Sequence, residues 1–173
     1  YGGKETEFAK IETLPRHTAA QLEMATGGHA PVERWRALGW SVIDSHSVSA
    51  CAADYRSYLE GSRGELSVAK NTYVATHCGW FSCRTACYLA AGRPAVVQDT
   101  GFSQLFSCGE GVIPFRDLAG AAAGLERIEA EMSASVEDDD EAMRYLRHEA
   151  GHAVNYAFAL YERAEWLATF GAY

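Results

Sequence analysis

The sequence lacks a long apolar run, a pair of cysteines with CxxC spacing and an excess of positive charge. No apolar stretch approaches the roughly 20 residues that a transmembrane helix needs, so no membrane span is predicted. The formal net charge of −8 argues against nucleic acid or an anionic membrane surface as the main partner. The five cysteines are an odd number with no CxxC pair, which is typical of reduced, mostly buried thiols in a cytoplasmic protein.

Apolar segments of strand length alternate with helical patterns, and glycines stand at the junctions. The predicted strands cover residues 22–26, 40–44, 73–76, 95–99 and 112–115, with a strand or extended segment at 65–69. The predicted helices cover about 31–38, 52–60, 82–91 and 117–131. This alternation predicts an α/β fold, with a Rossmann-like, mostly parallel sheet and flanking helices. Ligands of such sheets bind at the carboxyl ends of the strands, here in the loops after Thr76, Asp99 and Gly27.

The segment from Thr76 to Ser82 has the form of a strand end, a tight glycine turn and a helix start. Free N–H groups at the start of a helix suit a pyrophosphate, with Ser82 as the N-cap or a phosphate contact. Many junctions of this form bind nothing, so the pattern alone leaves an anion site and a plain turn as alternatives. His77 is likewise a phosphate contact or a strand-end residue, and Arg84 a charge partner or a surface charge.

Thr76-His77-Cys78-Gly79-Trp80 resembles the donor-binding signature of nucleotide-sugar glycosyltransferases. The stretch from Gly64 to Phe102 is similar to the C-terminal half of bacterial glycosyltransferases of the GT-B type, and the similarity covers roughly the first three quarters of the chain. The resemblance implies that the chain binds a nucleotide-diphosphate sugar as donor substrate and that an N-terminal glycosyltransferase domain is its partner. The donor-binding residues that it implies are His77, Gly79, Trp80, Ser82, Arg84, Asp99, Thr100 and Gly101.

A different motif, of the form H-E-x-x-H, lies near the C-terminus at residues 148–152. Residues four apart on a helix share a face, so His148 and His152 can offer two imidazole nitrogens to one Zn²⁺. Glu149 is placed to take a proton from a metal-bound water. The alternative is a helix with a polar stripe. The run from Met143 to Phe158 is similar to a bacterial family of zinc-binding metallopeptidases, which implies His148 and His152 as ligands and Glu149 as the general base.

A catalytic zinc site needs a third protein ligand and an open position for water. Glu162 and Glu165 are the only acidic residues after the motif, and both continue the helix that is predicted from 142 to about 169. A straight helix cannot return a carboxylate to a metal two or three turns earlier. We therefore expect any zinc to be completed by water, another chain or an N-terminal residue.

These observations predict three segments. Residues 1–131 are expected to form a glycosyltransferase donor-binding domain, residues 132–141 an acidic linker, and residues 142–173 the long C-terminal helix of a truncated metallopeptidase domain. The expected function is recognition of a nucleotide-diphosphate sugar. The alternatives are a zinc-dependent metallopeptidase that hydrolyses peptide bonds and an inactive fusion fragment.

Overall fold

Helices and parallel strands alternate in the structure, a computed structural model that describes residues 3–134. Its α-helices are α1 (Glu5–Phe8), α2 (Val32–Ala37), α3 (His46–Ser49), α4 (Ala52–Gly61), α5 (Asn71–Ala75), α6 (Cys83–Ala90) and α7 (Leu118–Ala134). Its strands are β1 (Glu23–Thr26), β2 (Ser41–Asp44), β3 (Glu65–Ser67), β4 (Ala95–Gln98) and β5 (Val112–Phe115). The predicted α/β class with parallel strands and flanking helices is confirmed.

The strands form two parallel sheets, β1–β2 and β3–β4–β5. In the first sheet Met24 lies opposite Val42. In the second, Val96 of the central strand lies between Leu66 and Ile113. Every residue of β4 is buried, as expected for the middle strand of a parallel sheet covered on both faces.

The two faces of β4 pack into different apolar clusters because successive side chains of a strand point in opposite directions. Val96 packs with α7, where Leu125 and Ile128 are buried. Val97 packs with Leu89 of α6 on the other face. Each such fully buried side chain contributes about 1.5–3 kcal/mol to folding. Helix, sheet and helix therefore form three layers around β4.

The predicted strand at 73–76 is wrong, because α5 occupies this segment. Lys70 is extended, and its carbonyl accepts the N–H groups of Tyr73 and Val74, which begins a helical turn. The Tyr73 ring then stacks on Trp80, with 5.0 Å between ring centroids. Tyrosine and valine are common in strands, but this preference depends on tertiary context, and a four-residue run does not separate a strand from one helical turn.

The prediction of mostly buried thiols is also wrong. All five cysteines are free, but Cys51, Cys78, Cys83 and Cys87 are exposed and only Cys108 is partly buried. The cause in α6 is the helical period. Thr85, Tyr88 and Leu89 take the side that faces the protein, which leaves the cysteines four residues apart on the outer side.

The last described helix, α7, continues three residues beyond the expected domain end at 131. The remainder of the acidic linker and the predicted helix over 142–173 lie outside the described residues. Within residues 3–134, no helix combines the length and the apolar character that crossing a bilayer requires.

Candidate functional site

Two segments of the chain meet at the carboxyl end of the β3–β5 sheet, residues 77–82 before α6 and residues 99–101 after β4. We call this contact the junction. The Gly79 N–H donates to the Thr100 carbonyl at 2.8 Å. The Thr100 hydroxyl donates to the Trp80 carbonyl at 2.6 Å. Three of the predicted donor-binding residues are therefore brought together by hydrogen bonds to the backbone.

The junction depends on left-handed backbone conformations. Gly79 has φ +74°, Gly101 has φ +98°, and His77 is the only non-glycine residue with positive φ among those described, at +47°. A Cβ atom on Gly101 would lie 2.9 Å from the His77 carbonyl oxygen, closer than real Cβ contacts allow. Gly101 thus lets His77 approach, and the His77 residue itself remains exposed.

Asp99 is buried and organises the loop after β4. One carboxylate oxygen accepts the Gly101 N–H at 2.9 Å, and the other accepts the Ser103 hydroxyl at 2.8 Å and the Arg116 guanidinium at 2.9 Å. Burial raises the pKa of Asp99, but the hydrogen bonds from Ser103, Gly101 and Arg116 outweigh it, so the pKa lies below its usual value. Both oxygens are engaged within the protein, so this predicted donor-binding residue shapes the loop after β4.

Helix α6 begins directly after the junction, and Ser82 is its N-cap. The Ser82 hydroxyl accepts the N–H of Arg84 at 3.2 Å, as its position before the helix predicts. The N–H of Cys83, the first helical residue, has no acceptor in the described part of the chain. A helix start with free N–H groups is electropositive and suits an anion.

Arg84 does not serve this helix start as a neighbouring charge. Its guanidinium donates to Glu65, a carboxylate with 3% exposure, at 2.5 Å and to the Ser67 hydroxyl at 3.3 Å. Burial lowers the pKa of Arg84, while the charge of Glu65 and its hydrogen bond raise it more. The side chain therefore follows β3 instead of remaining at the turn.

An aromatic pair with two cations lies beside the junction. Trp80 stacks on Tyr73, with 25° between the ring planes. The Lys4 ammonium lies 5.8 Å from the centre of the Trp80 ring, and the Lys70 ammonium lies 5.9 Å from that of Tyr73. Trp80 is thus fixed at two points: its carbonyl accepts the Thr100 hydroxyl, and its ring stacks on Tyr73 of α5.

Glu7 is a buried residue that joins three segments of the chain and was not predicted. Its carboxylate, 1% exposed, accepts from Lys10 at 2.7 Å, Asn71 at 2.7 Å and Gln98 at 2.6 Å. Gln98 in turn accepts the Ala69 N–H at 3.1 Å. Burial raises the pKa of Glu7, but the hydrogen bonds from the three side-chain donors lower it by more. The pKa of Glu7 therefore lies below its usual value. No periodic pattern in the sequence marks a single buried glutamate.

Two cavities open near these elements. The smaller, of about 320 Å³, lies at the carboxyl ends of β1 and β2 and is lined by Gly27, Gly28, Arg36 and Asp44, among others. It coincides with the loop after Gly27, where a ligand was predicted. The larger, of about 1210 Å³, lies between β1 and β3 and was not predicted.

The predicted zinc residues His148, Glu149 and His152 lie outside the described residues. Over residues 3–134, no three histidine, cysteine, aspartate or glutamate side chains come together as a metal site would require. Comparisons of the chain with protein-family models, with curated proteins and with solved structures found no match.

Proposed function

We propose that this chain binds a nucleotide-diphosphate sugar at the carboxyl end of the β3–β5 sheet, as the donor-binding domain of a glycosyltransferase. The observation that carries the proposal is the start of α6 at the junction. There, Ser82 caps the helix while the Cys83 N–H keeps no acceptor among the described residues. A diphosphate supplies the oxyanion that such a helix start favours.

The position within the fold supports the same proposal. Ligands of open parallel sheets bind beyond the carboxyl ends of the strands, where the loops after β3 and β4 meet in this chain. Gly79 and Gly101 have positive φ, which glycine adopts without steric cost, and so let the two segments approach each other at this edge of the sheet. His77 and Trp80 border the same place, and His77 is exposed.

Calorimetric titration with uridine, guanosine and adenosine diphosphates tests the proposal. We expect one of them to bind, and Ser82→Asp to abolish its binding, because aspartate keeps the helix cap but repels a phosphate. Ser49→Ala, at an exposed serine of α3, is the control and should bind as the unchanged protein does. Absence of heat with all three diphosphates, or equal binding by Ser82→Asp, contradicts the proposal.

The H-E-x-x-H sequence supports a second candidate, a zinc-dependent peptidase. In this reading His148 and His152 hold the ion and Glu149 accepts a proton from water. Metal analysis of the purified full chain should find zinc, and His148→Ala should lose it. Zinc content near zero in the unchanged protein eliminates this candidate, and cleavage of a casein-type substrate that a chelator stops would establish it. A chain that binds neither zinc nor nucleotide would be the inactive fusion fragment.

A further inference from the structure

A cleft of about 1210 Å³ lies between the two sheets, with β1 on one side and β3 on the other. No strand ladder joins β1 to β3 in the part of the chain that the structure describes, so each of these strands is paired there on one edge only. Both strands line the same space. Cavities for small molecules have volumes of about 300–1,000 Å³, so this space is large enough for a longer ligand.

The register of β1 on β2 determines which backbone groups of β1 face the cleft. The Ser41 N–H donates to the Leu22 carbonyl at 2.9 Å across this pair of strands. Alternate residues of a strand direct their N–H and C=O groups to opposite edges. The backbone groups of Met24 therefore also face β2, whereas those of Glu23 and Ala25 face the cleft. No hydrogen bond from another described residue reaches these groups of Glu23 and Ala25.

The opposite wall has the same property. The Glu65 N–H donates to the Pro94 carbonyl at 2.9 Å, on the side of β4. The N–H and C=O groups of Leu66, the next residue, therefore face the cleft, and no described residue bonds to them. An unpaired strand edge is a template for pairing with another extended chain. One extended chain between β1 and β3 would satisfy both edges together.

The side chains beside the two edges indicate what such a chain should carry. Met24 and Leu66 are partly buried and pack against the apolar cluster that includes α7. Glu23 and Glu65 lie on the other face of their strands, where they accept a hydroxyl of α4 and a guanidinium of α6. One oxygen of Glu65 is buried and has no donor among the described residues. Three carboxylates and three cations line the cleft, so its charges are balanced and favour an uncharged donor over an ion.

We propose that the cleft binds an extended segment of a partner protein as an additional strand between β1 and β3. The backbone groups of this segment pair with Ala25 on one side and with Leu66 on the other, and its apolar residues alternate with threonine or serine. Main-chain hydrogen bonds give an added strand its affinity, and alternate side chains give it specificity. The site goes beyond the nucleotide proposed at the start of α6, since it uses none of the groups at that helix start.

Titration of the full chain with the capped peptide acetyl-Val-Thr-Val-Thr-Val-amide tests the proposal. We expect this peptide to bind, and a version with proline at its centre to bind at least fivefold more weakly, because proline lacks the donor N–H. Ala25→Pro should weaken binding at least tenfold, since it removes an N–H that faces the cleft and no bond between β1 and β2. Ala25→Ser, which keeps that N–H, and Ser82→Asp, at the nucleotide site, should bind the peptide as the unchanged protein does. No binding, or equal binding by the two Ala25 variants, contradicts the proposal.

Hydrogen exchange in the unchanged protein, followed by NMR, does not depend on the folding of a variant. The peptide should slow exchange of the Ala25 and Leu66 amides at least tenfold and leave Met24, whose N–H faces β2, within twofold. If the first two amides exchange as slowly as Met24 before peptide is added, β1 and β3 pair with each other or with a second copy of the chain, and the proposal is wrong. Peptide binding that protects neither amide also overturns it.

Discussion

The junction and the cleft differ in how closely their chain segments approach each other: hydrogen bonds join the segments of the junction, whereas the strands beside the cleft are not paired. At the junction, backbone groups of Gly79 and Thr100 bond directly, and Asp99 uses both of its carboxylate oxygens on neighbouring residues. In the cleft, which is the cavity of about 1210 Å³ between β1 and β3, no strand ladder joins the two strands in the described chain, and charged side chains of both signs line the space. The closed region thus fixes the position of a helix start, while the open region keeps its side-chain groups apart. Substitutions at the junction should therefore cost stability, and substitutions in the cleft should cost little.

The largest effect is expected at Gly101. Gly101→Ala should destabilise the protein by about 2–5 kcal/mol, from the left-handed conformation and from displacement of the His77 carbonyl that lies 2.9 Å from the new methyl group. Gly28→Ala is the matched control, because Gly28 has φ +70° and nothing within 4 Å of such a methyl group. It should lose only about 1–2 kcal/mol. Equal losses in urea denaturation would show that the junction is not closely packed.

The next effect is expected at Asp99. Asp99→Asn should cost about 1–3 kcal/mol at neutral pH, because it removes the charge from a buried acceptor of Ser103 and Arg116. The folded pKa of Asp99 is lowered, so its contribution to stability is present above the unfolded value near 3.8 and is lost as pH falls through the folded value. The loss in Asp99→Asn should therefore shrink in denaturation below pH 3. A loss that is constant from pH 7 to pH 2.5 contradicts this assignment.

Two helix starts allow a smaller comparison. Ser82 caps α6 at the junction, and Cys51 caps α4 beside the cleft through a thiol that accepts the Asp54 N–H at 3.4 Å. Ser82→Ala should cost about 1 kcal/mol, while Cys51→Ser should stabilise the protein by a few tenths, because a hydroxyl is the better cap. Thermal unfolding of the two variants measures both. A destabilising Cys51→Ser would mean that the thiol has a packing role.

The smallest effect is expected inside the cleft. Tyr58→Phe removes one hydrogen bond to Glu23, whose side chain is reached by solvent, and should change the free energy of unfolding by less than about 0.5 kcal/mol. A loss above 2 kcal/mol would show that the cleft, like the junction, holds the fold together.

Local sequence signals were sufficient to predict most helices and strands, but not the tertiary contacts between them. Gly39 and Gly92, both with positive φ, follow α2 and α6 as helix-ending glycines do, and the strands at β2, β4 and β5 lie where the apolar runs are. The helix α5 was missed because its side chains favour a strand, whereas the Lys70 carbonyl and the stack on Trp80 are tertiary features. Short segments are decided by such contacts.

The candidate site divides in the same way. The rule that ligand loops lie at the carboxyl ends of parallel strands placed Gly79, Thr100 and Gly101 near one another, and the structure brings them together. The same rule does not predict which of these side chains form hydrogen bonds or ion pairs within the protein and so are not free to bind a ligand. Asp99 and Arg84 are engaged by residues 17 and 19 positions away, and such pairs have no periodic signature in a sequence.

The bond between Gln98 and Glu7 joins residues that are 91 positions apart in the chain. Closing so long a loop is entropically expensive, and contacts of this kind form slowly compared with neighbouring turns. The central strand β4 can pair with β3 and β5 before the N-terminal segment arrives, but Gln98 then lacks its carboxylate partner. During synthesis, α1 can therefore gain this contact only after the 91 positions that separate the two residues have been made.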